Sequence, residues 1–313
     1  MYLKYYNLRE EPFNLTPDPR FLHLAQPYRI ALEAVAQAIL RRKGMIVVSG
    51  PIGVGKTTLL HATMQMLNRI RSNNSSVAFA FVFNPVLSRE EFLETLIAEF
   101  DVPCPSTSKP ARLSALHKMF LEKQKSGGTS VLIIDEAHLL TMELLEEIRL
   151  LSNADTYREK LLQVIFCGQP ELLPLLQRPQ LRALQQRITQ YCSLRPLDAV
   201  EIRSYIAERL QAGGLSGDSP FTSEAILAIH KHTGGVPRVI NQICDGALVL
   251  GAEQRMREIP ARIIQQAAAQ LELKVETSET LAPTFLGEDN LDTAMSIMDL
   301  LIETMKRKKA TVE

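Results

Sequence analysis

Met45-Ile46-Val47-Val48 runs directly into Gly50-Pro51-Ile52-Gly53-Val54-Gly55-Lys56-Thr57, and Thr58-Leu59-Leu60-His61-Ala62-Thr63-Met64 follows. The first piece is a short apolar run of the kind that forms a buried strand, and the last begins a helical pattern. Between them the chain matches G-x-x-x-x-G-K-[ST] at every fixed position. Glycines let the backbone curl until several N–H groups aim at phosphate oxygens, and the following helix adds its positive N-terminal end. An ordinary glycine turn would have no reason to set Lys-Thr directly after its last glycine. Gly50, Pro51, Ile52, Gly53, Val54, Gly55, Lys56, Thr57 and Thr58 are therefore expected to line a nucleotide's phosphates. Lys56 would lie between the β- and γ-phosphates, and the Thr57 hydroxyl would hold Mg²⁺.

The rest of the chain repeats the strand–helix rhythm. Helical spacing runs from Tyr28 to Arg42, and Gly44 ends it. Val77–Phe83, Val131–Ile134 and Leu161–Cys167 read as further buried strands, with Ile188–Leu194 a fifth. Helices are expected at 57–70, at 88–100 with Ser88 and Glu91 as a capping box, and at 111–125. This alternation predicts an α/β fold, a parallel five-stranded sheet flanked by helices. After Pro196 only helical patterns remain, at 198–211, 223–232, 238–251 and 260–271. Asp198 and Thr222 or Ser223 are their plausible N-caps. The expected organisation is an α/β nucleotide-binding domain over 1–195 and a small helical lid over 196–273. A linker over 274–290 and an amphipathic helix with a basic end over 291–313 complete it. Pro17-Asp18-Pro19-Arg20 reads as a stiff arm.

Composition narrows the class. The 313 residues are 46% hydrophobic and 22% charged, as in a globular protein. Lys+Arg and Asp+Glu both count 35, which argues against a strongly basic nucleic-acid binder. The four cysteines are scattered, without a C-x-x-C pair, and read as core residues of a reducing compartment. There is no signal-peptide pattern and no apolar run near the ~20 residues that span a bilayer. A cytoplasmic location is expected.

Val131–Ile134 ends in Asp135-Glu136, where Asp135 can enter the Mg²⁺ shell and Glu136 can polarise an attacking water. Asp135-Glu136-Ala137-His138 also spells a helicase label. The chain is too short for two recombinase-like domains, however, and His138 is expected in the first turn of the next helix, toward the sheet edge or solvent. Gln169, in Gly168-Gln169-Pro170 at the fourth strand's tip, is a candidate γ-phosphate sensor. Arg238, after Gly234-Gly235-Val236-Pro237, would open a lid helix and reach back to the phosphates.

These motifs, in this order and spacing, resemble an AAA+ ATPase. Tyr6 to Arg20, Leu145 to Asn153 and Gly168 to Leu172 are similar to the general-secretion-pathway protein A (ExeA) type of that family. Related ATPases serve pilus biogenesis, exosortase-linked export and transposition of the TniB/TnsC kind. The resemblance implies ATP and Mg²⁺, Walker A roles for Lys56 and Thr57, and Walker B roles for Asp135 and Glu136. It implies sensor roles for Gln169 and Arg238, and a homo-oligomer, ring or filament, whose sites are completed by a neighbour's arginine. Arg187 is the first choice for that finger and Arg182 the second. Over the adenine the 17–20 arm would fold, with Phe13 or Tyr28 beside the base. Members resembling full-length ExeA continue into a membrane span and a cell-wall-binding domain. Neither pattern occurs in these residues, so direct envelope anchoring is not expected. The expected partner is a protein client of a secretion or export machine. The alternatives are duplex DNA in transposition, with Arg41-Arg42-Lys43 and Arg69-Ile70-Arg71 lining a ring, and a nucleotide-gated switch with little turnover. Peripheral membrane contact through the 291–309 tail is a further alternative.

Overall fold

Successive strand residues point to opposite faces, so a sheet covered on both sides needs apolar residues at odd and even positions alike. The computed structural model describes residues 2–15, 26–70, 77–104, 106–153 and 159–271, and there this rule is met. Its strands are β1 (Met45–Ser49), β2 (Val77–Val82), β3 (Thr129–Ile134), β4 (Leu162–Gly168) and β5 (Ile188–Ser193). They form one sheet in the order β2-β3-β4-β1-β5, every pair parallel. Ile46, Val48, Val131, Ile133, Ile165 and Cys167 enter one core, while Met45, Val47, Leu132, Ile134, Val164 and Phe166 enter the other. The sheet is thus a two-sided wall between two cores.

The helices are α1 (Tyr2–Tyr5), α2 (Gln26–Leu40), α3 (Lys56–Ile70), α4 (Arg89–Glu99), α5 (Lys109–Lys125) and α6 (Met142–Leu151). After them come α7 (Leu172–Leu176), α8 (Arg182–Gln185), α9 (Ala199–Ala212), α10 (Ser223–Thr233), α11 (Pro237–Glu253) and α12 (Ala261–Gln270). Helices α2 and α3 cover one face of the sheet, and α4 to α8 supply the other core. The expected capping box at Ser88 is present, and Asp198 forms a second one with Glu201. Short α1, α7 and α8 carry too few residues to show a period in the sequence. The 17–20 arm, the 274–290 linker and the 291–313 tail lie outside the described residues. Among the described residues the four cysteines are free, and no helix is long and apolar enough to cross a membrane.

Helices α9 to α12 form a layer whose apolar residues join the α2–α3 core. Residues 2–14 pack on this layer. The Tyr2 hydroxyl donates to Asp245 Oδ1 at 2.6 Å, and the Tyr6 hydroxyl to the Met256 carbonyl at 2.8 Å. Burial pushes the Tyr6 hydroxyl up to about 12. Phe13, 1% exposed, meets Phe221 edge-on with ring centres 6.1 Å apart. Buried Arg209 donates from Nε to the Pro12 carbonyl at 2.6 Å and from Nη2 to the Asn14 carbonyl at 3.1 Å. Its Nη1 donates to the Tyr205 hydroxyl, which in turn donates to Asn241.

The layer joins the sheet at Leu194–Asp198, where Arg195 pairs with Glu201 through its two terminal guanidinium nitrogens, Nη1 and Nη2. There the Leu197 N–H donates to the Gly235 carbonyl at 2.8 Å. The contact leaves no room at Gly235: a Cβ would lie 1.9 Å from the Leu197 carbonyl oxygen, and φ is +79°. Gly234 is also left-handed, at φ +55°, but nothing stands within 4 Å of where its Cβ would be.

Two stability predictions follow from these contacts. Gly235→Ala should lose at least about 3 kcal/mol, from left-handed strain plus overlap, against about 1 kcal/mol for Gly234→Ala. Equal denaturant midpoints for the two variants would contradict this account. Arg209→Ala should lose roughly 2–4 kcal/mol, because two carbonyls at Pro12 and Asn14 give up their donors. Limited proteolysis should then cut within the first fifteen residues before it cuts elsewhere.

Candidate nucleotide site

In an open parallel sheet, ligands bind beyond the carboxyl ends of the strands. Here β1, β4 and β3 are adjacent, so their three tips lie in a row. The glycine loop leaves β1, Gln169 follows β4, and Asp135 follows β3. The Gly50 N–H donates to the Gly168 carbonyl at 3.2 Å, and the Asp135 N–H to the Val82 carbonyl at 2.9 Å. Both signatures are thereby fixed to the ladder by their own backbones.

Lys56 is buried, and its ammonium donates to the Gly50 carbonyl at 2.8 Å and the Pro51 carbonyl at 3.0 Å. Thr57 Oγ1 donates to Asp135 Oδ2 at 2.8 Å, across β4 and 78 residues of sequence. The second Asp135 oxygen accepts the Glu136 N–H at 2.9 Å. Asp135 itself is 5% exposed. A hydroxyl and a carboxylate side by side are oxygen ligands of the kind Mg²⁺ takes when phosphate and water complete its shell. The residues present fit that ion.

Glu136 stands in the left-handed region, at φ +50° and ψ +36°. Such a conformation in a non-glycine residue costs of order 1–3 kcal/mol and concentrates at functional sites. It turns the chain sharply into the 3₁₀ turn Ala137–Leu139. The Glu136 side chain is 44% exposed, yet its Oε2 is buried without a hydrogen bond and lies 3.4 Å from His138 Nδ1. His138 sits in the first turn, and of its two expected directions it takes the sheet edge and not solvent: its side chain is 12% exposed and faces the β4 tip, with Nδ1 3.5 Å from the Gln169 N–H.

Beneath the tips lies Cys167, fully buried. Burial first, then the negative charge of Asp135, pushes its thiol well above the usual range, so no thiolate competes for the site.

The glycine loop is gripped from two further sides. Tyr28 of α2 is 4% exposed and donates its hydroxyl to the Val54 carbonyl, 2.5 Å away. From the helical layer, the Arg238 N–H donates to the Gly53 carbonyl at 3.1 Å. A Cβ on Gly53 would come within 2.9 Å of Arg238 Cβ and 3.0 Å of Val236 Cγ1. Arg238 thus stands on the loop, with its side chain exposed. Of the two aromatic residues named for the base, Tyr28 is at the loop, whereas Phe13 is in the helical core against Phe221. Sequence could suggest the Tyr28 ring but not the hydroxyl's bond, which depends on how α2 docks.

The two arginines named for a trans role lie elsewhere. Arg187 immediately precedes β5, whose first residue pairs with Met45 at the start of β1. The five residues of β1 put about 15 Å between that end and the loop. Its Nη1 donates to Ser152 Oγ at 2.7 Å, beside the Arg149 carbonyl. Arg182 is exposed at the start of α8.

Comparison with known proteins bears on the fold that carries this site. Residues 39–176 match the AAA domain family model. General secretion pathway protein A of Aeromonas hydrophila is 35% identical over 253 residues, 80% of this chain. The chain spans 44% of that protein's length, less than half of it. Among solved structures, the ORC2 protein of Aeropyrum pernix, in ADPNP–ADP complexes, aligns over 87% of this chain and 75% of its own. The TM-score is 0.65 at 18% identity. Drosophila ORC bound to DNA aligns over 88% of this chain and 67% of its own, with a TM-score of 0.66 at 18% identity. At such identities these two structures speak for the fold alone. Sheet order and these matches agree: the chain has the AAA+ fold, and over 80% of its residues it is similar to general secretion pathway protein A.

Proposed function

We propose that the chain hydrolyses ATP at the β1–β4–β3 tips and uses nucleotide state to reshape an oligomer that serves a secretion or export machine. The observation that carries this reading is the Thr57–Asp135 hydrogen bond, which joins the phosphate loop to the acidic strand tip. Loop N–H groups and Lys56 would hold the triphosphate, with Lys56 exchanging its own-loop carbonyls for phosphate oxygens. Mg²⁺, held by Thr57 and Asp135, would supply neutralisation of charge on the β- and γ-phosphate oxygens. Glu136 would orient a water in line with the γ-phosphorus and accept its proton as the new P–O bond forms and the bond to ADP breaks. Gln169 would sense the γ-phosphate from the β4 tip.

Arg238 is the proposed reporter to the helical lid, 196–273. Its backbone bond to Gly53 and the Leu197–Gly235 contact support the idea that loop and lid shift together. Arg187 is proposed to complete a neighbouring copy's site. Its distance along β1 from its own loop supports a trans role, with Arg182 as the alternative. An arginine so placed is typically worth ~10³–10⁵ in rate.

In the basic triplet proposed for DNA, Arg42 is already paired with Glu159 and the Gly128 carbonyl. That favours a protein client over duplex DNA.

Lys56→Ala should abolish ATP binding in calorimetry. Glu136→Gln should bind ATP as well as the unsubstituted chain, while turnover falls at least about 10²-fold. Unchanged turnover in both variants would end the hydrolytic reading. A salt-dependent shift of duplex DNA in the presence of an ATP analogue would replace the protein client with DNA.

A further inference from the structure

His138 places a polar ring between the β4 tip and the carboxylate proposed to activate water. Three observations meet there. Glu136 holds a strained left-handed backbone and keeps Oε2 buried without a hydrogen bond. His138 Nδ1 lies 3.4 Å from that oxygen and 3.5 Å from the Gln169 N–H. The β4 tip presses on the same turn, since a Cβ on Gly168 would lie 3.1 Å from His138 N and 3.4 Å from Ala137 N.

One ring nitrogen cannot serve both neighbours. As an acceptor, Nδ1 takes the Gln169 N–H and leaves Glu136 Oε2 without a donor. Carrying its hydrogen, Nδ1 donates to Oε2 and releases the Gln169 N–H. A buried carboxylate oxygen without a donor drives the second arrangement, and a buried backbone N–H without an acceptor drives the first. Any displacement of the β4 tip therefore alters which bond is made.

We propose that His138 is a positioning residue that ties the aim of the Glu136 carboxylate to the position of Gln169 at the β4 tip. The proposal rests on Glu136 as the water-orienting base. His138 itself touches neither ATP nor water. Its part is to hold one carboxylate oxygen inward so that the other faces the attacking water, and to release it when the sensor strand moves.

The test uses the full chain and steady-state ATP turnover. His138→Leu keeps the bulk and removes the ring nitrogen, and should lower kcat roughly 10- to 100-fold with KM for ATP unchanged. His138→Asn places a polar atom near the Nδ1 position and should restore most of the rate. His138→Gln, whose polar atom lies further out, should stay slow, and it serves in place of His138→Leu if that variant does not fold. In a Glu136→Gln background, His138→Leu should change nothing further. Wild-type kcat in His138→Leu, an Asn variant as slow as the Leu variant, or a loss confined to KM would each overturn the proposal. If Glu136→Gln abolishes turnover while His138→Leu does not alter it, only this inference fails. If the unsubstituted chain binds ATP without turnover, the hydrolytic reading fails and takes this one with it.

Discussion

A hydroxyl on α3 and a carboxylate at the end of β3 meet at 2.8 Å although 78 residues separate them. A hydrogen bond to a charged group contributes only about 1.5–3 kcal/mol, too little to organise a domain. The sheet brings the two together, and the bond reports that it has done so. Every strand pair is parallel, so all carboxyl ends lie along one edge, and β4 between β1 and β3 sets the spacing of the signatures. Shifting β3 by one residue would exchange Leu132 and Ile134 with Val131 and Ile133 between the two cores and turn Asp135 away. Register of the apolar wall and geometry of the site are one constraint.

That constraint explains what the sequence made legible. Continuous apolar runs mark doubly covered strands, and the glycine loop marks where one of them must end. Asp135 at the end of another such run is then placed by the fold class alone. The capping boxes at Ser88 and Asp198 are local hydrogen-bond patterns, readable because they span three residues. Hidden features depend on how separate elements dock. The Tyr28 hydroxyl on Val54 and the Arg238 N–H on Gly53 each join residues far apart in the chain, and the second is a backbone bond with no side-chain signature. The direction of His138 turned on the left-handed conformation of Glu136, which no local motif announces. Arg187 showed its charge in the sequence, but not its bond to Ser152.

The polar groups around the site follow a simple division. Asp135 is buried and bonded through each oxygen, to Thr57 and to the Glu136 N–H. Glu136 is strained and incompletely bonded. Lys56 lies between these classes, since its carbonyl partners belong to the loop that would receive phosphate. Cys167 shows the same economy from below: a neutral thiol fills space under a charged edge without adding to its charge.

Residues 2–14 lie on the helical layer, whereas α2, which begins at Gln26, carries Tyr28 to the glycine loop. The polypeptide therefore passes between helical layer and sheet twice, once between Leu15 and Gln26 and once through Leu194–Asp198. Layer and wall are thus joined at two points of the chain, and one of them leads into the helix whose Tyr28 holds the glycine loop.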